Sequence, residues 1–197
     1  MRNLFEFLRT LLIYTGLAAG LAVLRWFITT PTVRQALGGN TGQLAWPALL
    51  VVAAVVGFRV LRVGKEPLVA PVRAVGGIAC VIGLVIVKAA LSGQMVAIPQ
   101  ASLYMGLILG EELFFRWIGL ESLRKKEELV YSDAYLRRLA PLSLVSLTVL
   151  YGLVQGLTPA TTAVNLHAAG LGQFIFLNLL YLLTGSIWPT AVAHLFL

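Results

Sequence analysis

The sequence is poor in charge, in histidine and in cysteine. Of its 197 residues only 12% are Asp, Glu, Lys or Arg, about half the share of an average soluble domain. So few charges cannot cover the surface of a soluble globule of this size. That excludes an ordinary soluble enzyme and a nucleic-acid-binding module, and a hydrophobic content of 59% excludes a disordered chain. The one cysteine, Cys80, can make no intrachain disulfide and no thiolate metal site. Lying inside an apolar stretch, it is expected to be a small core residue. Acidic residues are also scarce, 8 against 15 basic ones, for a net charge of +7.

Long apolar runs fill the chain instead. About 20 apolar residues cross a bilayer as one helix. Seven candidate runs are expected, at about 8–28, 44–61, 72–91, 101–120, 139–157, 164–183 and 187–197. The first run is read as a retained span and not a cleaved leader, because no polar domain follows it. The expected fold is all-α: a single integral membrane domain over residues 1–197, built as a bundle of about seven transmembrane helices. Alternating the loops places twelve of the fifteen cations on one side, in the N-terminus, the loop after the second run and the polar segment after the fourth. Cytoplasmic loops collect Lys and Arg, so the N-terminus is expected in the cytoplasm and the C-terminus on the opposite side if the spans number seven. Residues 121–138 read as a short amphipathic helix or loop at the cytoplasmic surface. The pairs Gly16–Gly20, Gly106–Gly110 and Gly152–Gly156 are read as close-packing strips within the bundle.

Several polar residues are out of place in such a chain. Glu111 and Glu112 fall near the middle of the fourth run, where a carboxylate costs on the order of 3 kcal/mol and marks a site by default. Glu112 and Arg116 are four apart on one helix face and can pair. Glu111 lies about 100° further round an α-helix, free to reach a water, a metal or another helix. His194 sits in the last run at a matching depth and is expected to share that site. Gln155 in the fifth run is expected to face inward. His167, Phe174 and Asn178 share one face of the sixth run, expected to be a polar seam bonded within the bundle.

The stretch Glu111-Glu112-Leu113-Phe114-Phe115-Arg116 resembles the EExxxR motif of the CAAX prenyl protease and bacteriocin-processing family, also called Abi. The run from Leu182 through Thr184-Gly185-Ser186 to Pro189, followed by His194, resembles the approach to that family's last motif, and Tyr151 to Gln155 occupies the place of its second motif. The resemblance covers about residues 101–197. It implies an intramembrane helical bundle of proteolytic descent, with Glu111 activating a water, Glu112 and Arg116 completing the first motif, and His194 in the last. It also implies a histidine where this chain has Gln155, and an asparagine one position beyond Leu197. Glutamine cannot shuttle a proton and binds zinc poorly.

The resulting expectation is a catalytically degenerate member, a scaffold or binding subunit. It would hold a membrane-protein partner, a lipid or a prenyl-like chain within the bilayer, with no cofactor and no nucleic acid. The alternative is an active intramembrane CAAX-type endopeptidase, of metallo- or glutamate type. It would use Glu111 and His194, with Gln155 or His167 as the third group and Glu111, His194 and His167 as candidate zinc ligands. A carrier is disfavoured, because no paired broken helices are evident.

Overall fold

The computed structural model describes residues 2–37, 39–69, 71–92, 101–156 and 168–196. The described residues form helices and turns, with no strand among them. In chain order the elements are α1 (Arg2–Ile28), α2 (Pro31–Leu37), α3 (Gly39–Leu61), α4 (Pro71–Ser92), α5 (Ala101–Glu111), a π-helical segment (Glu112–Leu120), α6 (Glu121–Glu127), α7 (Ala134–Leu139), α8 (Pro141–Gly156), α9 (Ala168–Thr184) and α10 (Ile187–Phe196). A short 3-10 turn, Glu66–Leu68, follows α3.

Local chemistry sets several of these boundaries. Proline opens α2, α4 and α8, where its missing N–H costs no helical bond. Asp133 caps α7 by accepting from the backbone N–H groups of Tyr135 and Leu136 at 2.8 and 3.0 Å. Gly185, at φ 62°, turns the chain from α9 into α10. The segment 121–138, expected at the surface, is α6, a turn and α7. It hides two of its carboxylates, because Glu121 and Glu127 are both buried.

The fourth apolar run does not continue as a regular α-helix. From Glu112 the backbone opens into a π-helix that ends with the Glu121 N–H bonded to the Arg116 carbonyl. Such wide turns recur at functional sites. The hydroxyl of Tyr14 on α1 donates to the Phe114 carbonyl at 3.3 Å. Nearly every side chain of the segment is buried. Phe114 stacks on Tyr14 with ring centroids 5.2 Å apart, and Phe115 meets the edges of Tyr151 and Phe174. The π-helical segment is thus the axis of the core, wrapped by α3, α8, α9 and α10, with Tyr14 of α1 against it.

By length and apolarity, two helices could cross a membrane: Arg2–Ile28 and, counted through the left-handed break at Ala140, Ala134–Gln155. The apolar stretches Ala45–Leu61, Ala74–Val87, Gly170–Thr184 and Ile187–Phe196 are shorter. One end of the bundle gathers the segments that the cation count puts together. There Asn3 Nδ2 donates to the Leu129 carbonyl at 2.7 Å, Lys125 approaches Glu66 at 3.6 Å, and the indole N–H groups of Trp117 and Trp188 donate to the carbonyls of Gly64 and Leu68.

Two expectations are corrected here. Cys80 is exposed on α4 and is not a core residue, because α4 turns the neighbouring Ala74 and Val81 inward and Cys80 lies on the other face. Gly16 and Gly20 meet no heavy atom within 4 Å of where a Cβ would stand, so their strip packs against nothing among the described residues. The Gly106–Gly110 strip behaves as expected: a Cβ on Gly110 would lie 3.2 Å from the Pro47 carbonyl of α3.

Candidate functional site

The site forms where α5 passes into the π-helical segment. Glu111 and Glu112 occupy the junction, both buried, at 5% and 0% exposure. Burying two adjacent carboxylates is costly unless each is paired and hydrogen-bonded, and the structure supplies a different set of partners for each.

Glu112 is the more heavily engaged. Its Oε1 lies 3.0 Å from Arg116 Nη1, the expected i,i+4 pair, and 3.1 Å from His194 Nδ1 on α10. Its Oε2 lies 2.5 Å from the Thr190 hydroxyl, whose single proton is shared between that oxygen and the Ile187 carbonyl 2.7 Å away. Thr190 is one helical turn before His194, so α10 presents both to the same carboxylate. Arg116 is wholly buried with its guanidinium 4.9 Å from the centre of the Phe174 ring. Its Nε and Nη1 have no aligned hydrogen bond among the described residues. The contact to Glu112 is therefore an ion pair of close charges.

Glu111 reaches another helix, α8. Its Oε1 accepts from Gln155 Nε2 at 2.7 Å. Its Oε2 faces His194 Nε2 at 3.9 Å, beyond hydrogen-bond distance. Gln155 is held in turn from α1: Arg25 Nη1 donates to Gln155 Oε1 and, at 3.0 Å, to the Val154 carbonyl. The Arg25 guanidinium lies over the Trp46 indole, 5.0 Å from its centre.

The residues Glu111, Glu112, Arg116, Gln155 and His194, chosen from the sequence, therefore lie in one contiguous cluster. His167 lies outside the described residues. His194 lies in the site with both glutamates, bonded to Glu112 and facing Glu111. The expected polar seam on the sixth run is revised. Asn178 is fully buried, yet neither its amide oxygen nor its nitrogen has a hydrogen-bond partner among the described residues.

Sequence reasoning missed Arg25 and Thr190. The spacing of Thr190 to His194 was a usable signal. For Arg25 there was none, because 130 residues separate it from Gln155. Among the described residues no three His, Cys, Asp or Glu side chains form a group able to hold a metal ion. Of the candidate zinc ligands, Glu111 and His194 face each other at 3.9 Å, and the third, His167, lies outside the described residues.

A family model described as Rce1-like, type II CAAX prenyl endopeptidase Rce1-like, matches residues 92–197, just over half of the chain. No curated protein and no solved structure matches the chain.

Proposed function

The chain belongs to the Rce1-like family of type II CAAX prenyl endopeptidases, and from that premise we propose that it is a multi-pass membrane bundle whose proteolytic centre has become a structural one. It serves as a scaffold or binding subunit for a membrane-protein partner, a lipid or a prenyl-like chain. The seven-span topology, with the N-terminus in the cytoplasm, is part of this reading. The gathering of the cationic segments at one end of the bundle supports it.

The observation that carries the proposal is the bond from Gln155 Nε2 to Glu111 Oε1. Hydrolysis needs a group beside the glutamate that can pass a proton during attack and departure. An amide donates a hydrogen bond but neither gains nor loses a proton near neutral pH. The amide oxygen is occupied by Arg25, and Glu112 is occupied by Arg116, His194 and Thr190. The cluster answers most of its own polar demand, as a bundle-bracing network would.

A second reading, an active glutamate endopeptidase, is favoured by one gap. Glu111 Oε2 accepts no hydrogen bond among the described residues and faces His194 Nε2. If Nδ1 of His194 carries the proton that Glu112 accepts, Nε2 is an acceptor too. A water placed there would donate to both and be activated by Glu111, which would take its proton as the oxygen attacked a carbonyl.

The test is a cleavage assay on the full chain in proteoliposomes with a prenylated CAAX-type peptide. The expected result is no cleavage above that of Glu111→Ala. Cleavage that disappears in Glu111→Ala overturns the scaffold reading in favour of the second one.

A further inference from the structure

Arg25 lies on α1, outside the residues 92–197 that match the family, yet it reaches the centre of the site. Its Nη1 donates to two acceptors at adjacent positions of α8, the Val154 carbonyl and Gln155 Oε1. Trp46 covers one face of the guanidinium.

A glutamine amide can be placed either way round, and its neighbours decide which. A guanidinium has only donors and a carboxylate only acceptors. Arg25 on one side and Glu111 on the other therefore demand the same orientation, oxygen to Arg25 and nitrogen to Glu111. Without Arg25 the half-buried amide oxygen would have no donor among the described residues, at a cost comparable to a lost hydrogen bond. The side chain would turn to recover one.

We propose that Arg25 is the positioning residue of this site. By fixing the polarity of Gln155 it commits Glu111 Oε1 to the amide and leaves Oε2 as the oxygen turned toward His194. The requirement at position 155 is then a side chain with an acceptor toward α1 and a donor toward Glu111, which an amide or a neutral imidazole meets and an aliphatic side chain does not. The inference concerns geometry and is independent of whether the protein hydrolyses anything.

The test is side-chain amide NMR of the full chain in lipid nanodiscs, with glutamine selectively labelled by nitrogen-15. The Gln155 pair of resonances is identified by its absence in Gln155→His. In the native protein one proton of the pair is expected downfield, bonded to the carboxylate, and in Glu111→Ala that shift is lost. Arg25→Met is expected to lose it as well, while Arg25→Lys retains a donor and most of the shift. Should Arg25→Met fail to fold, Arg25→Gln, whose polar head is too short to reach, is expected to lose the shift in the same way. A folded Arg25→Met or Arg25→Gln protein with the Gln155 pair unmoved overturns the inference and reduces Arg25 to a packing residue. That outcome leaves the peptidase assay, and the scaffold reading, untouched.

Discussion

The ring of Tyr14 lies against the backbone of Gly119: a Cβ at Gly119 would stand 2.6 Å from Tyr14 Cζ and 2.9 Å from a methyl of Leu147. No side chain fits there without moving α1 or α8 off the π-helical segment. Gly119→Ala is expected to destabilise the protein by about 1–3 kcal/mol, as overpacking of a filled core does. Gly16→Ala and Gly20→Ala, where nothing lies within 4 Å, are expected to be neutral or to stabilise by roughly 0.5–1 kcal/mol, since alanine is the better helix former. Thermal unfolding of the three variants in detergent distinguishes these outcomes.

Arg116 and Glu112 form a wholly buried pair. Removing the arginine alone leaves a carboxylate in the core without its cation. Arg116→Met is expected to cost about 3–5 kcal/mol. The double variant Arg116→Met with Glu112→Leu is expected to be more stable than Arg116→Met alone, although it strands His194 Nδ1. The reverse order of melting temperatures would show that the pair is not the main support of the junction.

Glu127 acts as a cap in trans for α8. The residue before the helix is Ala140, which has no side-chain acceptor, and Pro141 opens the helix. Glu127, 15 residues from Leu142, accepts instead from the backbone N–H groups of Leu142 and Ser143 at 2.8 and 2.7 Å and from the Ser143 hydroxyl. Glu127→Ala is expected to cost about 1–2 kcal/mol, the range of a lost N-cap. Amide hydrogen exchange should accelerate at Leu142 and Ser143 before it does elsewhere in α8. Unchanged protection at these two amides would show that α8 needs no cap.

Glu66 gives the chain a small acid-sensitive contact. Its own backbone N–H, and then the ammonium of Lys125, hold its carboxyl below the usual glutamate range. A depressed folded value means that the contribution is present above the ordinary carboxylate range and is lost as the pH falls through the folded value. Local protection at residues 66–69 is therefore expected to weaken on acidification in the native protein, and to be flat over that range in Glu66→Gln. Because Glu66 is largely exposed, added salt should shrink the effect.

The sequence made some of this site legible and hid the rest for physical reasons. The pairing of Glu112 with Arg116 follows from helical spacing, and the approach of His194 follows from matching depth in two runs. Both rest on periodicity within one helix or on the thickness of the bundle. The contact of Arg25 with Gln155 rests on which faces of α1 and α8 meet, which neither helix encodes alone, so Arg25 could only be counted as a loop-side charge. The π-helix was equally hidden. Residues 112–120 read as an ordinary apolar helix, and the wider turns coincide with partners from elsewhere in the fold, among them the Tyr14 hydroxyl on the Phe114 carbonyl. The exposed position of Cys80 follows from which side of α4 meets the core, and an apolar stretch with apolar residues all round gave no sign of that side.

The helix α1 is tied to the rest of the chain near both of its ends, through Asn3 to the Leu129 carbonyl and through Arg25 to Val154 and Gln155. Across its 27 residues, about 40 Å of helix, it works as a splint laid along the half that bears the motifs. Excised at residue 92, that half would lose the guanidinium that orients its glutamine and the phenol that sits beneath its widened turns. Any shortened version meant to preserve the carboxylate junction has to bring the first helix with it.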